Sequence, residues 1–137
     1  MILMISRMVA RLVTTTLVVY WILLLLGTHL PAPAVGDLRV SDKLLHFSAY
    51  AGLAFLLACT VSAYRRPHWS TYWWLAAIVL LYGAFDELSQ LPIPGRNADI
   101  LDWMADAAGT AVGLSLQRFA LAVYEQLSTR PNHSPML

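Results

Sequence analysis

Apolar residues run along the chain in four long stretches separated by short polar or proline-containing turns. The first, Leu12 to Leu30, is interrupted mainly by Thr14, Thr15 and Thr16. The second follows Asp42, the third opens on Trp69, and the fourth follows Asp99. Each approaches the roughly 20 residues that a membrane-spanning helix needs. The pattern predicts transmembrane helices over about 9–30, 42–63, 69–91 and 99–121, joined as one domain over residues 1–137. A cytoplasmic tail is expected over residues 122–137, its polar end disordered.

The boundaries have local causes. Pro31 and Pro33 would stop the first helix, because proline lacks the N–H that the helix needs and clashes with the preceding turn. Ser41 or Asp42 can cap the second. Tyr64 to His68 forms a tight basic turn, and Trp69, Tyr72, Trp73 and Trp74 read as an interfacial aromatic belt. The basic start and the Pro-Ala-Pro-Ala stretch before Val35 also resemble a cleavable leader. The apolar part exceeds the roughly 7–15 residues of such a leader, so a retained anchor is expected.

Composition agrees with lipid as the solvent. Of 137 residues, 58% are hydrophobic and 12% charged, against about half and about a quarter in soluble domains. Mean hydropathy is +0.60. The net charge of +1 gives no ground for expecting a nucleic-acid partner, and the single cysteine, Cys59, reads as an inert thiol in an apolar run. Arg7, Arg11, Arg65, Arg66, Arg118 and Arg130 fall on one side of the expected spans, and Arg39, Lys43 and Arg96 on the other. By the positive-inside rule both termini face the cytoplasm, and every acid except Glu125 lies on the outward side.

Residues 82–113 then need an explanation. Asp86, Glu87, Gln90, Asp99, Asp102 and Asp106 lie at or inside expected spans, where a carboxylate costs about 3 kcal/mol or more, and Arg96 sits in the short Pro/Gly turn between them. Helical spacing gathers these residues. Asp42, His46 and Tyr50 stack on one face. Asp99, Asp102, Asp106, Gly109 and Gly113 form a second seam, acidic at its outer end and ending in a GxxxG that lets another helix approach. Asp106 is expected roughly 10 Å below Asp99, and Tyr50 roughly 12 Å below Asp42, which is head-group depth. Asp42 and Asp99 can equally be helix caps, Lys43 a snorkelling interface residue, and Asp86 a solvated helix end.

These residues resemble the VanZ-like family of small bacterial membrane proteins, named for a component of teicoplanin resistance. The match rests on DKLLHFSAY, then ELSQ, PGR and the D-x-x-D-x-x-x-D-x-x-G-x-x-x-G run, over about residues 42–113. The resemblance implies shared polar positions at Asp42, Lys43, His46, Tyr50, Glu87, Gln90, Arg96, Asp99 and Asp102. Many relatives carry Asn where this chain has Asp106. It also implies a bacterial inner-membrane protein of the cell envelope, linked to antibiotic resistance and suggested to act on lipid head groups.

The expected activity is cleavage or exchange of a phosphate-linked head group on a lipid or polyprenyl carrier, as a hydrolase or transferase. The candidate catalytic residues are His46, Glu87, Asp102 and Asp106, with His46 as base or nucleophile and Asp102 or Glu87 orienting its ring. Candidate substrate-binding residues are Tyr50, Gln90, Arg96, Asp99 and Asp42, with Arg96 gripping phosphate. The oxygen-rich set Asp99, Asp102, Asp106 and Glu87 suits magnesium or calcium, although no metal motif is present. The rival expectation is a binder of a lipid-linked cell-wall precursor or a glycopeptide antibiotic, without chemistry. An ion pathway fits less well, since no ionisable residue continues through the deep halves of the last three spans.

Overall fold

The computed structural model describes residues 2–30, 42–94 and 98–128, with side chains from Arg7 onward. Four helices account for nearly all of them: α1 (Ile2–Thr28), α2 (Asp42–Tyr64), α3 (Trp69–Gln90) and α4 (Ile100–Ser128). Two boundaries differ from expectation. The first helix begins at Ile2 rather than near residue 9, and the last continues to Ser128 rather than ending near 121. In both places the sequence holds good helix formers and no glycine or proline, so nothing ends the hydrogen-bond ladder. Residues 122–128 are therefore helical. Ser41, Arg39, Arg96, Arg130 and the chain beyond Ser128 lie outside the described residues.

The all-helical expectation holds. Two helices are long and apolar enough to cross a membrane: Arg7–Thr28 at a mean hydropathy of 2.1 and Asp42–Tyr64 at 1.8. The other two are diluted by Trp and Tyr at the start of α3 and by the acids of α3 and α4. Their outward faces are nonetheless apolar, with Trp73, Trp74, Leu81, Phe85 and Leu88 exposed on α3 and Met104, Leu116 and Phe119 on α4. The interior carries the polar groups: His46, Asp86, Glu87, Gln90, Asp102, Asp106, Thr110 and Gln117 are all buried. Water as solvent selects the opposite arrangement. Hydroxyls at Thr14, Thr16, Ser48, Thr60 and Ser62 bond carbonyls one turn back in their own helices, which satisfies them without water.

The helices alternate in direction, so the end of α1, the start of α2, the end of α3 and the start of α4 meet. The α2–α4 interface is the most extensive. Gly109 and Gly113 make it so. A Cβ on Gly109 would overlap the Phe47 carbonyl oxygen, and one on Gly113 the Ala51 carbonyl oxygen, so only glycine lets the two backbones touch. α1 lies against α2 through Tyr20, whose hydroxyl donates to the Ala49 carbonyl at 2.9 Å and covers Gly52. At the far end Tyr72 donates to Gln117 at 2.8 Å and Gln117 to Ser62 at 2.8 Å, tying α2, α3 and α4 together.

Candidate functional site

At the end where all four helices meet, the acids fall into three tiers. In the outermost, the Lys43 ammonium donates to Asp99 and to Asp102, at 2.9 Å each. Lys43 is thus a bridge between α2 and α4 rather than a snorkelling side chain, because the seam of α4 presents two carboxylates within its reach. Asp99 does three things at once. Its side chain accepts the Leu101 N–H at 2.9 Å as the cap of α4, it accepts Lys43, and its own N–H donates to Glu87 Oε2 at 3.0 Å. Lys43 and the Leu101 N–H hold the Asp99 carboxyl below the usual carboxylate range.

The middle tier centres on His46. Its Nδ1 lies 2.9 Å from Asp106 Oδ1 and 3.7 Å from Glu87 Oε1, so Asp106 orients the ring. That corrects the expectation that Asp102 or Glu87 would do so. Asp102 sits one turn nearer the helix start and is held by Lys43, while Glu87 turns its other oxygen to the Asp99 N–H. Two carboxylate oxygens here, Glu87 Oε1 and Asp106 Oδ2, are buried and make no hydrogen bond among the described residues. Asp106 Oδ2 points toward Gly83 of α3, where a Cβ would stand 3.1 Å away; glycine there leaves the carboxylate its room.

The third tier surrounds Asp86, which is 1% exposed and so not a solvated helix end. It accepts from Thr28 Oγ1 at 3.0 Å, from Gln90 Nε2 at 3.2 Å and, at the long limit of 3.5 Å, from the Tyr50 hydroxyl. Tyr50 lies parallel to His46, ring centres 6.5 Å apart, and links the second and third tiers. Sequence reasoning gave Tyr50 and Gln90 to substrate; the structure turns both toward Asp86. It missed Thr28, and His29, whose ring contacts Ser89 at 3.0 Å. The only signal for either was a polar pair at the end of an apolar run.

Of the expected site residues, His46, Tyr50, Glu87, Gln90, Asp99, Asp102 and Asp106 converge at this end of the bundle. Asp42 is exposed at the start of α2, with a carboxylate oxygen within 4.8 Å of His46 and Asp102 ligand atoms. Arg96 lies outside the described residues. The set Asp99, Asp102, Asp106 and Glu87, expected to hold a cation, does not stay together. Lys43 occupies the first two, while Glu87 and Asp106 face His46.

The VanZ/LLP1 family model matches residues 3–121, nearly the whole described bundle. The chain belongs to the VanZ/LLP1 family. The match takes in α1, α2, α3 and most of α4, so the three tiers belong to the VanZ-like unit as a whole, and α1 is part of it through Thr28 and Tyr20. No curated protein and no solved structure matches the chain.

Proposed function

We propose that this VanZ-like protein is a four-span bacterial inner-membrane protein with both termini cytoplasmic. In this reading its tiered end faces outward and acts on a phosphate-linked lipid or polyprenyl head group. The apolar outward faces of α3 and α4 support two further spans beyond the two apolar helices. Six arginines against two arginines and one lysine support the orientation.

The observation that carries the chemistry is the buried His46–Asp106 pair at 2.9 Å, beneath Lys43. A carboxylate on Nδ1 fixes the ring and stabilises positive charge on it, which equips the imidazole as a general base or nucleophile toward a phosphoryl group. Lys43, Asp99, Asp102 and Asp42 form the mouth, where Lys43 is the cation available to a phosphate. A substrate at this height keeps its tail among the exposed apolar side chains.

Lipid mass spectrometry after incubating purified protein with bacterial membrane lipids tests this. Wild-type protein should release or exchange a head group and His46→Ala should not; equal turnover by the two proteins would sink the assignment. The second reading is a non-catalytic binder of a lipid-linked precursor or glycopeptide. The engagement of Tyr50 and Gln90 with Asp86 favours it, because those donors are then not free for substrate. It predicts saturable binding that survives His46→Ala.

A further inference from the structure

His46, Glu87 and Asp106 come from α2, α3 and α4 and place one nitrogen and two carboxylate oxygens within 4.8 Å of one another, all three residues buried. Among the described residues Glu87 Oε1 and Asp106 Oδ2 have no hydrogen-bond partner, and an unmade buried hydrogen bond costs about 1–3 kcal/mol, more for a charged group. The charge among the described residues does not balance either. Asp86, Glu87 and Asp106 share two imidazoles, His46 and, 3.8 Å from Asp86, His29, while Lys43, the only lysine in the chain, is held by Asp99 and Asp102. The arginines among the described residues, Arg7, Arg11, Arg65, Arg66 and Arg118, lie at the opposite end of the bundle.

We propose that His46, Glu87 and Asp106 bind one divalent transition-metal ion of the zinc class. Zinc bonds of about 2.0–2.2 Å in tetrahedral array set neighbouring ligand atoms roughly 3.3–3.5 Å apart. The distances from His46 Nδ1, 2.9 Å to Asp106 and 3.7 Å to Glu87, fall on either side of that value. The imidazole nitrogen shifts preference away from magnesium and calcium, which favour all-oxygen sets, toward zinc. Two carboxylates, a neutral imidazole and a dication sum to zero, so the loaded site is the neutral form in apolar surroundings. Three protein ligands leave a coordination position open, the pattern of catalytic rather than structural zinc. The neighbouring trio Asp42, His46 and Asp102 fits less well, since Asp42 is exposed and Asp102 is bonded to Lys43.

This rests on the site of the head-group reading but gives His46 and Asp106 the role of ligands in place of base and orienter, and it is tested by binding alone, so either can fail without the other. The full chain, purified in detergent and stripped with chelator, is titrated with zinc by calorimetry, and bound metal is counted by elemental mass spectrometry. One equivalent per chain is expected, weakened at least about 100-fold in the near-isosteric variants Glu87→Gln and Asp106→Asn. Saturating zinc should raise the thermal unfolding midpoint of the wild type and not of these variants, while circular dichroism verifies their fold. Asp42→Asn should bind like the wild type. The proposal is overturned if zinc binding survives in both Glu87→Gln and Asp106→Asn, if Asp42→Asn alone abolishes it, or if magnesium binds as tightly as zinc.

Discussion

Replacing Gly109 by alanine should loosen the site from below. The new methyl would overlap the Phe47 carbonyl oxygen and stand 3.0 Å from both the Phe47 carbonyl carbon and the Ala51 nitrogen. Ordinary carbon contacts lie near 3.5–4.0 Å, and these neighbours are backbone, so no rotamer change relieves them. α4 must move away from α2. Overpacking of this kind costs about 1–3 kcal/mol. Asp106 lies one turn toward the site, so the shift stretches its 2.9 Å contact with His46 and forfeits part of a charged hydrogen bond of about 1.5–3 kcal/mol. Less the up to about 1 kcal/mol that alanine regains in helix propensity, a net loss of about 1–4 kcal/mol is expected. The comparison is Gly27→Ala, where a Cβ meets nothing within 4 Å and helix propensity alone should give a stabilisation of up to about 1 kcal/mol. Both variants would be unfolded thermally and in denaturant in the same detergent, with the wild type alongside. Indistinguishable midpoints for Gly109→Ala and Gly27→Ala would refute the reasoning, because the backbones would then not be in contact at Gly109.

Three other outcomes follow from the same geometry. Asp106→Asn keeps an acceptor for His46 Nδ1 whereas Asp106→Ala leaves the ring unpaired beside a void, so the alanine variant should unfold at least about 1–3 kcal/mol earlier than the asparagine one. Because the Asp99 carboxyl is depressed by Lys43, its contribution is present above the ordinary aspartate pKa of about 3.9 and lost as pH falls through the lower folded value. Asp99→Asn, which still caps α4, should remove that acid limb from a plot of unfolding midpoint against pH; an unchanged limb would exclude the pairing as its source. Tyr72→Phe deletes a buried bond to Gln117 at the opposite end, and should cost about 0.5–1.5 kcal/mol of stability, read from the thermal unfolding midpoint, without altering metal binding at the tiered end.

Much of this molecule was legible from residue order. Four apolar runs and the prolines between them are local properties, so they specify helices and turns without any contact being known. The seam from Asp99 to Gly113 was equally readable, because the 3.6-residue period fixes which side chains share a face. The pairing of charges was not. Which of three acids on two helices meets His46 depends on the rotation and height of α2 against α4, and those are set by Gly109 and Gly113 pressing on Phe47 and Ala51. That contact lifts Lys43 to Asp99 and Asp102 and leaves Asp106 for the imidazole. The role of Asp86 likewise waited on α1, whose Thr28 reaches it across the bundle from a residue 58 positions away in sequence. Helical periodicity travels within a helix, so the sequence determined each wall of the site, and only packing between helices decided which groups face one another.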